Sequence, residues 1–457
     1  MTRADRIHAH RSSRREGRSR RGTHAVLGLV LAGLAAHLVG CGEGRQEGGA
    51  PPKDPAASSK TSGAPATPDS LDQALVLGLA QFVTNETEDG RKIPTPGAAR
   101  MEFLVRRDGR WEVEALEDPA SNVIHKAMAM TGPDGEPALL SAGGSAALLK
   151  LWTFEDGEAK AETLWEKDFG GKFSRMRDVE IADLYGDGSE AIAVATHDQG
   201  VVAVVRRQGD AWSVEEIDQE ADTFVHEIEI GDLDGDGVLE VYSTPSEPNR
   251  LDGSVQPGKV TRYVPARGEG RVVAADLKDR HAKEIFVGDV DGNGRDELYV
   301  VVEGHAKAGG RELEHGIEVL RYEAETPADS GVVIAEVWDR LARFLTMGDV
   351  DGDGRSELVL AAFSSGLWLL QPGDDPQQPW TVTSIDRDSG GFEHAALLTD
   401  LDGDGRDELY VASDKHKQVR RYVWDGKKMA REVIYRRPDD RAIFTWNIMP
   451  VPLSLVP

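Results

Sequence analysis

Asp400-Leu-Asp-Gly-Asp-Gly-Arg-Asp-Glu408 alternates carboxylates with glycine, and three more stretches align with it without a gap. They are Asp232-Leu-Asp-Gly-Asp-Gly-Val-Leu-Glu240, Asp289-Val-Asp-Gly-Asn-Gly-Arg-Asp-Glu297 and Asp349-Val-Asp-Gly-Asp-Gly-Arg-Ser-Glu357. Asp183-Leu-Tyr-Gly-Asp-Gly-Ser-Glu-Ala191 is a degraded fifth copy, and Gly132-Pro-Asp-Gly-Glu136 a sixth remnant. From Asp183 onward the first positions lie 49, 57, 60 and 51 residues apart. A recurrence of that period marks a repeat architecture.

Each copy sits between two short apolar runs, such as Ile228–Ile230 and Val241–Tyr242. A third run pairs arginine with an aromatic residue, in Arg262-Tyr263, Arg321-Tyr322 and Arg421-Tyr422. A fourth repeats Trp-x-Val-x-x-Ile/Leu, in Trp111–Leu116, Trp212–Ile217 and Trp380–Ile385. Four strands per ~50 residues, separated by turn residues, predict the blades of a β-propeller. Residues 101–117 read as third and fourth strands without a first, and residues 441–449 as a first strand without successors. Leu75–Val83 reads as the missing second strand or a short helix. One blade built from both chain ends would remove the exposed sheet edges. The expectation is an all-β, seven-bladed propeller over residues 71–457, with six or eight blades as alternatives.

The motifs and their spacing resemble the FG-GAP/VCBS repeats of integrin-α-like propellers, over roughly residues 120–410 and more weakly in the flanks. At the level of fold, the resemblance implies a class that includes adhesion receptors and lectins. Some calcium-bearing propellers of this type resemble polysaccharide lyases or hydrolases.

Hard oxygen ligands without thiolates suit calcium. The expected ligands are Asp232, Asp234, Asp236 and Glu240; Asp289, Asp291, Asn293 and Glu297; Asp349, Asp351, Asp353 and Glu357; and Asp400, Asp402, Asp404 and Glu408. A backbone carbonyl at position 7 would complete each cage, and glycine at position 6 permits the tight turn. Calcium would serve folding and not chemistry. In the Asp183 copy, Tyr185 and Ala191 remove two ligands, so a plain turn is expected there. Asp276-Leu-Lys-Asp-Arg-His-Ala-Lys-Glu284 matches only at its ends, since Lys278 and Arg280 oppose a cation.

The histidines at 125, 197, 226, 281, 305, 315, 394 and 416 all map to the face opposite these loops. Six residues before motif position 1 stand Arg177, His226, Lys283, Arg343 and His394, with His125 and Arg441 corresponding in shifted registers. Such a ring would encircle the channel mouth. With His197, Asp198, Glu247, Asn249, Glu303, His305, Asp414 and His416 it could bind a ligand. Alternatively, each basic group pairs with a carboxylate of a neighbouring blade, such as Asp178, Glu227 or Glu284. No nucleophile elbow, phosphate loop or dinucleotide fingerprint is present.

The chain carries 80 Asp+Glu against 53 Lys+Arg, a net charge of −27, and one cysteine among 457 residues. Strong acidity argues against a nucleic-acid binder. A lone cysteine excludes a disulfide scaffold and any Cys-based metal cluster. Eight arginines in residues 1–21 precede the apolar run Ala25–Ala36, which reads as a secretory signal too short to span a bilayer. Leu38-Val-Gly-Cys41 resembles the bacterial lipobox, which implies lipidation of Cys41. Residues 41–70 are rich in Gly, Pro, Ala and Ser and read as a flexible tether after a 1–40 signal. The expectation is a monomer lipid-anchored to a bacterial cell envelope, binding a carbohydrate, a protein or a small anion on the histidine face. The alternative is an extracytoplasmic lyase or hydrolase using the same ring.

Overall fold

In a computed structural model of the chain, residues 68–86, 90–155, 157–170, 174–197, 199–247, 256–307, 312–438 and 442–457 are described. The signal, Cys41 and the tether up to residue 67 lie outside the described residues, as do Asp198, Asn249 and Arg441. No helix among the described residues is long and apolar enough to cross a membrane. Residues 84–86 and 90–95 fall in a second compact unit, in which Asn85 Nδ2 donates to Thr95 Oγ1 at 2.5 Å.

Seven antiparallel sheets of propeller type follow one another along the chain. Blades 1 to 6 cover residues 124–167, 175–218, 224–276, 282–337, 342–386 and 396–436. Blade 7 takes its first strand, Ala442–Pro452, from the C-terminus. Its second strand is Gln73–Glu86, followed by Ala99–Arg107 and Arg110–Asp118. The C-terminal strand pairs antiparallel with the second, from Gln73↔Pro452 to Phe82↔Ala442. The expected closure by both chain ends is therefore present, and Leu75–Val83 is strand, not helix.

The core is divided among seven apolar clusters, one at each junction between neighbouring blades. Leu140 and Trp165 of blade 1 meet Val194 and Val205 of blade 2. Val76 and Phe103 of blade 7 meet Leu139 and Trp152 of blade 1, which closes the ring. Because both faces of an inner strand are covered, these strands read as continuous apolar runs without clean alternation.

The motif turns form from their own side chains. Gly405 N–H donates to Asp400 Oδ2 at 2.9 Å and Asp404 N–H to Asp400 Oδ1 at 3.0 Å. Glycines at positions 4 and 6 take φ of +72° and +86°, as in Gly403 and Gly405, a region that L side chains avoid. The degraded loop keeps the same bond, Gly188 N–H to Asp183 Oδ2 at 2.8 Å. Loss of ligands there spares the turn. All motif loops join first to second strands, so they share one face of the propeller. Second-to-third loops and the links between blades lie on the other.

Candidate functional site

On that other face the inner strands carry a β-bulge at one recurring place. Pairing skips His125 in blade 1, Arg177 in blade 2, Arg343 in blade 5 and Trp446 in blade 7. In blades 3 and 4 it skips His226-Glu227 and Lys283-Glu284. A bulge re-aims the extra side chain out of the alternating pattern. The register expected from spacing thus has a backbone cause. In blade 7 the bulge belongs to Trp446, whereas the expected Arg441 lies outside the described residues.

Four of the eight candidate histidines form a row across blades 1 to 4. Ring centroids are 5.8 Å apart for His125–His197, 5.7 Å for His197–His226 and 6.2 Å for His226–His281. Aromatic rings flank the row. Phe224 stacks on His197 at 4.6 Å, Trp446 meets His125 edge-on at 4.6 Å, and Phe392 lies 6.2 Å from Trp446. Arg343 lies over Phe363 and Phe392 at 5.1 and 5.6 Å.

His125 Nδ1 stands 2.5 Å from Met176 O. A carbonyl only accepts, so Nδ1 carries the proton and Nε2 presents a lone pair. That Nε2 is buried without a partner, as are both ring nitrogens of His226. Burial, and then the charges of Arg177 and Arg175, hold the His125 pKa well below the usual range. His226 is lowered by burial first and then by His197, Lys283 and Arg177. His197 is lowered by burial, His125 and Arg177. All three imidazoles are neutral at pH 7.

An ion-pair cluster lies among the bulged residues. Glu393 of the blade 6 approach accepts from Lys283 Nζ at 2.9 Å and Arg177 Nη2 at 3.4 Å. Burial alone would raise the Glu393 pKa, but Lys283, Arg177 and Arg343 bring it down to about 2. Lys283 also pairs with Glu284 at 2.7 Å, and Arg177 reaches Glu227 at 3.8 Å. Lys126 pairs with Asp178 at 3.1 Å and with Glu180. Asp178 Oδ2 accepts the Ile228 N–H at 3.0 Å, which ties blade 2 to blade 3. The carboxylates Asp178, Glu227 and Glu284 thus neutralise part of the expected cationic ring.

The remaining candidates have local roles. His394, fully buried, binds Ala362 O through Nδ1 at 3.0 Å and Ser389 Oγ through Nε2 at 2.8 Å. His416 bridges Ser413 Oγ and Asp388 at 2.9 and 3.2 Å. His305 faces His315 in a two-stranded ribbon. Asp414 accepts from Thr445 N–H at 2.6 Å and from Arg437, joining blades 6 and 7. His281 lies between Glu303 Oε2, at 3.1 Å, and Glu247 O, at 3.3 Å. Glu247 also lines a cleft of ≈ 380 Å³ with Glu220, Thr223, Ser246, Lys259 and Asp276, among others. Sequence reasoning missed Glu393, Trp446 and Phe224. Trp446 was recognisable as a tryptophan off the third- and fourth-strand pattern, whereas Glu393 gave no signal because its partners are distant in the chain.

On the opposite face, carboxylate oxygens converge to within 4.8 Å in all four full motifs. Asp400, Asp402, Asp404 and Glu408 converge in blade 6, and Asp289, Asp291 and Glu297 in blade 4. Asp232, Asp234 and Asp236 converge in blade 3, and Asp349, Asp351 and Asp353 in blade 5. The expected ligands Glu240 and Glu357 stand outside these groups. All four glutamates are nevertheless held alike by the amide of motif position 2: Leu233 to Glu240 at 3.2 Å, Val290 to Glu297 at 3.3 Å, Val350 to Glu357 at 3.0 Å and Leu401 to Glu408 at 3.3 Å. Glu240, Glu297 and Glu408 each also take a tyrosine hydroxyl and an arginine. The third-strand arginines therefore serve the loops: Arg321 reaches Asp291 at 2.6 Å, and Arg421 reaches Asp402 at 2.6 Å. In blade 6 the Asp402 side chain is 4% exposed, and its Oδ1 has no donor. A buried carboxylate oxygen in a gathered anionic set fits a hard divalent cation.

Residues 349–411 match the FG-GAP-like repeat family. No curated protein matches the chain. Among solved structures it is similar to a Penicillium chrysogenum alpha-L-arabinanase complexed with arabinobiose, at 12% identity and TM-score 0.42, over 68% of this chain and 92% of that one. It is also similar to Saccharomyces cerevisiae Sqt1, at 8% identity and TM-score 0.47, over 81% of this chain and 86% of that one. A functionally unknown protein from Desulfotomaculum acetoxidans matches at 11% identity and TM-score 0.42, over 79% of this chain and 99% of that one.

Proposed function

We propose that this propeller binds a neutral, hydroxyl-rich ligand, a carbohydrate, at the mouth formed by His125, His197, His226, Phe224, Trp446 and Phe392. The supporting observation is the imidazole of His226, buried with both nitrogens unpartnered beside the bare Nε2 of His125. Buried polar atoms without partners are rare and point to water or a ligand group. Neutral imidazoles can donate to and accept from hydroxyls, while aromatic rings offer apolar faces to a sugar. The cations Arg177 and Lys283 are already paired with Glu393, which favours a neutral ligand over an anion. In calorimetric titrations of an oligosaccharide panel, wild type should bind one class, and His226→Ala with Trp446→Ala should abolish binding while unfolding cooperatively. A folded double variant with unchanged affinity would refute this assignment.

Calcium in the four motif loops would stiffen the opposite face, each ion held by the carboxylates gathered there. The leader and Cys41 support a lipid-anchored protein of the bacterial envelope. Labelling with a fatty-acid analogue, abolished by Cys41→Ser, tests that anchor.

A second reading, a lyase or hydrolase, is favoured by His281. Glu303 orients the imidazole through Nδ1, and once Nε2 leaves the carbonyl of the cleft-lining Glu247 it could take a substrate proton as a general base. In that case His281→Ala abolishes product release from a polysaccharide while binding persists.

A further inference from the structure

Blades 1 to 4 supply the imidazole row of the histidine face, whereas blades 5 to 7 supply aromatic rings and one unpaired cation. Trp446 of blade 7 lies 6.2 Å from Phe392 of the blade 6 approach. Arg343, bulged from blade 5, holds its guanidinium carbon 5.6 Å from the Phe392 ring centre. The same carbon lies 5.1 Å from the ring of Phe363, which follows the second strand of blade 5. Arg343 is only 8% exposed, yet its Nε has no hydrogen-bond partner, and it makes no ion pair among the described residues. It differs in this from Arg177 and Lys283, which Glu393 holds.

The link from blade 4 to blade 5 adds an exposed indole on the same face. Trp338 is 62% exposed, while every other tryptophan of the chain is buried or half-buried. The exposed valines Val214, Val272, Val273 and Val333 stand on fourth strands, at the outer edges of their blades. Trp338 stands instead in a link, and the residue after it is tied down. Asp339 is buried, and its Oδ2 accepts the Ser364 and Ser365 N–H groups at 2.7 and 2.6 Å. Phe363 N–H donates to Leu341 O at 2.9 Å, and Gly304 N–H to Arg340 O at 2.8 Å. Gly304 allows this approach, since a Cβ there would meet Asp339 O at 2.3 Å. Trp338 and Phe363 are thus carried on one hydrogen-bonded frame. An indole so placed adds little to the core and presents an apolar face with one N–H donor.

We infer that the ligand of the mouth is an extended saccharide chain, which leaves the imidazole row past Trp446 and Phe392, crosses Arg343 and Phe363, and ends against Trp338. This rests on the carbohydrate reading above. Apolar ring faces separated by a single donor suit a chain of sugar rings, whose C–H faces alternate with hydroxyls. The charge of Arg343 is set against two aromatic faces, and its Nε is the donor for a hydroxyl between them. Because Asp339 already fixes the frame, contact at Trp338 requires little further ordering. A disaccharide seated at the imidazole row would leave Trp338 in water.

Calorimetric titration of the full chain with the disaccharides and hexasaccharides of β-glucan, xylan, mannan and arabinan tests this. For the polymer that binds, wild type should hold the hexasaccharide about tenfold or more tighter than the disaccharide, the scale of one aromatic anchor. Trp338→Ala should remove that gain and leave the disaccharide affinity unchanged. Arg343→Lys keeps the charge near Glu393 but loses the Nε donor, and it should weaken the hexasaccharide as well. The hexasaccharide, and not the disaccharide, should shield Trp338 from iodide quenching of its fluorescence. Thermal unfolding confirms that each variant is folded. Equal affinity for both lengths in wild type, or a hexasaccharide affinity unchanged in either variant, would overturn the extended path and leave the mouth assignment standing. Binding of neither length by wild type would overturn both.

Discussion

Arg177 Nη2 and Glu393 Oε2 stand 3.4 Å apart although 216 residues separate them in the chain, which joins blade 2 to the approach of blade 6. Lys283 of blade 4 shares the same carboxylate at 2.9 Å. Three blades therefore depend on one buried glutamate.

Glu393→Gln leaves two buried cations with a neutral partner. Breaking a buried pair from one side costs about 3–5 kcal/mol, so the denaturant midpoint should fall sharply with the slope unchanged. The pH dependence has a definite sign. Glu393 is depressed to about 2 in the fold, against 4.5 as its ordinary value. Its contribution is complete above pH 4.5 and is lost as pH falls toward 2. Across that window wild type should lose more stability than Glu393→Gln. Parallel acid limbs would count against the pairing.

His226 titrates in a different window. Its folded pKa lies well below 6.5, so below pH 6.5 the unfolded chain takes a proton that the fold refuses. Stability from this group is complete above 6.5 and declines as pH falls, by about 1.4 kcal/mol per pH unit while the proton difference persists. Burial raises the carboxyls of Glu227 and Glu229 well above their ordinary range, and these act in the opposite sense. The difference between wild type and His226→Gln isolates the imidazole. Urea unfolding at pH 7.5 and 5.5 should show the wild type losing more stability than the variant.

Much of this architecture was legible because the acidic motif dictates its own turn. Asp at position 1 bonds the position 5 and 6 amides and glycines supply positive φ, so each copy marks a first-to-second strand hairpin and sets the register of its blade. The second strand of blade 7 was ambiguous for a physical reason. Ala74–Gln81 is buried on both faces, and a continuous apolar run carries neither strand nor helix period. The mouth was half legible. Spacing placed His125, Arg177, His226, Lys283 and Arg343 together, because the bulge recurs at one place in the repeat. It could not separate paired cations from unpartnered imidazoles, since Glu393 reaches partners in other blades, 216 and 110 residues away in the chain. Position 8 is acidic in two of the four copies, and only the structure shows that Asp296 and Asp407 accept amides from a neighbouring blade's loop.

Calcium removal should lower the thermal transition. At free calcium tenfold above Kd, each occupied loop contributes about 1.4 kcal/mol. Addition of EDTA should therefore shift unfolding to lower temperature, with recovery on excess calcium but weaker recovery on magnesium, which demands a stricter octahedral shell. Asp402→Ala should remove part of the shift. A transition indifferent to chelation would sink the metal assignment.

Asp414 separates a structural from a ligand-binding role on the histidine face. It was a candidate ligand group, yet its carboxylate accepts Thr445 N–H at 2.6 Å, Thr445 Oγ1 at 2.9 Å and the Arg437 guanidinium. Arg437 also reaches Glu102 of blade 7 at 3.3 Å. The cluster fastens blade 6 to the blade assembled from both chain ends, where Ile448 joins Leu75 and Leu77 in the shared core. Asp414→Ala leaves the buried Arg437 guanidinium with Glu102 alone and strands a backbone amide, at a cost of about 3–5 kcal/mol. The loss should concentrate at this closure. Amide exchange should accelerate in Ala442–Pro452 and Gln73–Glu86 well before Arg175–Ala182. The affinity of the folded fraction for the mouth ligand should stay within about twofold, because no atom of Asp414 contacts the imidazole row among the described residues. Uniform acceleration across all blades, or a large affinity loss at unchanged stability, would reverse that assignment.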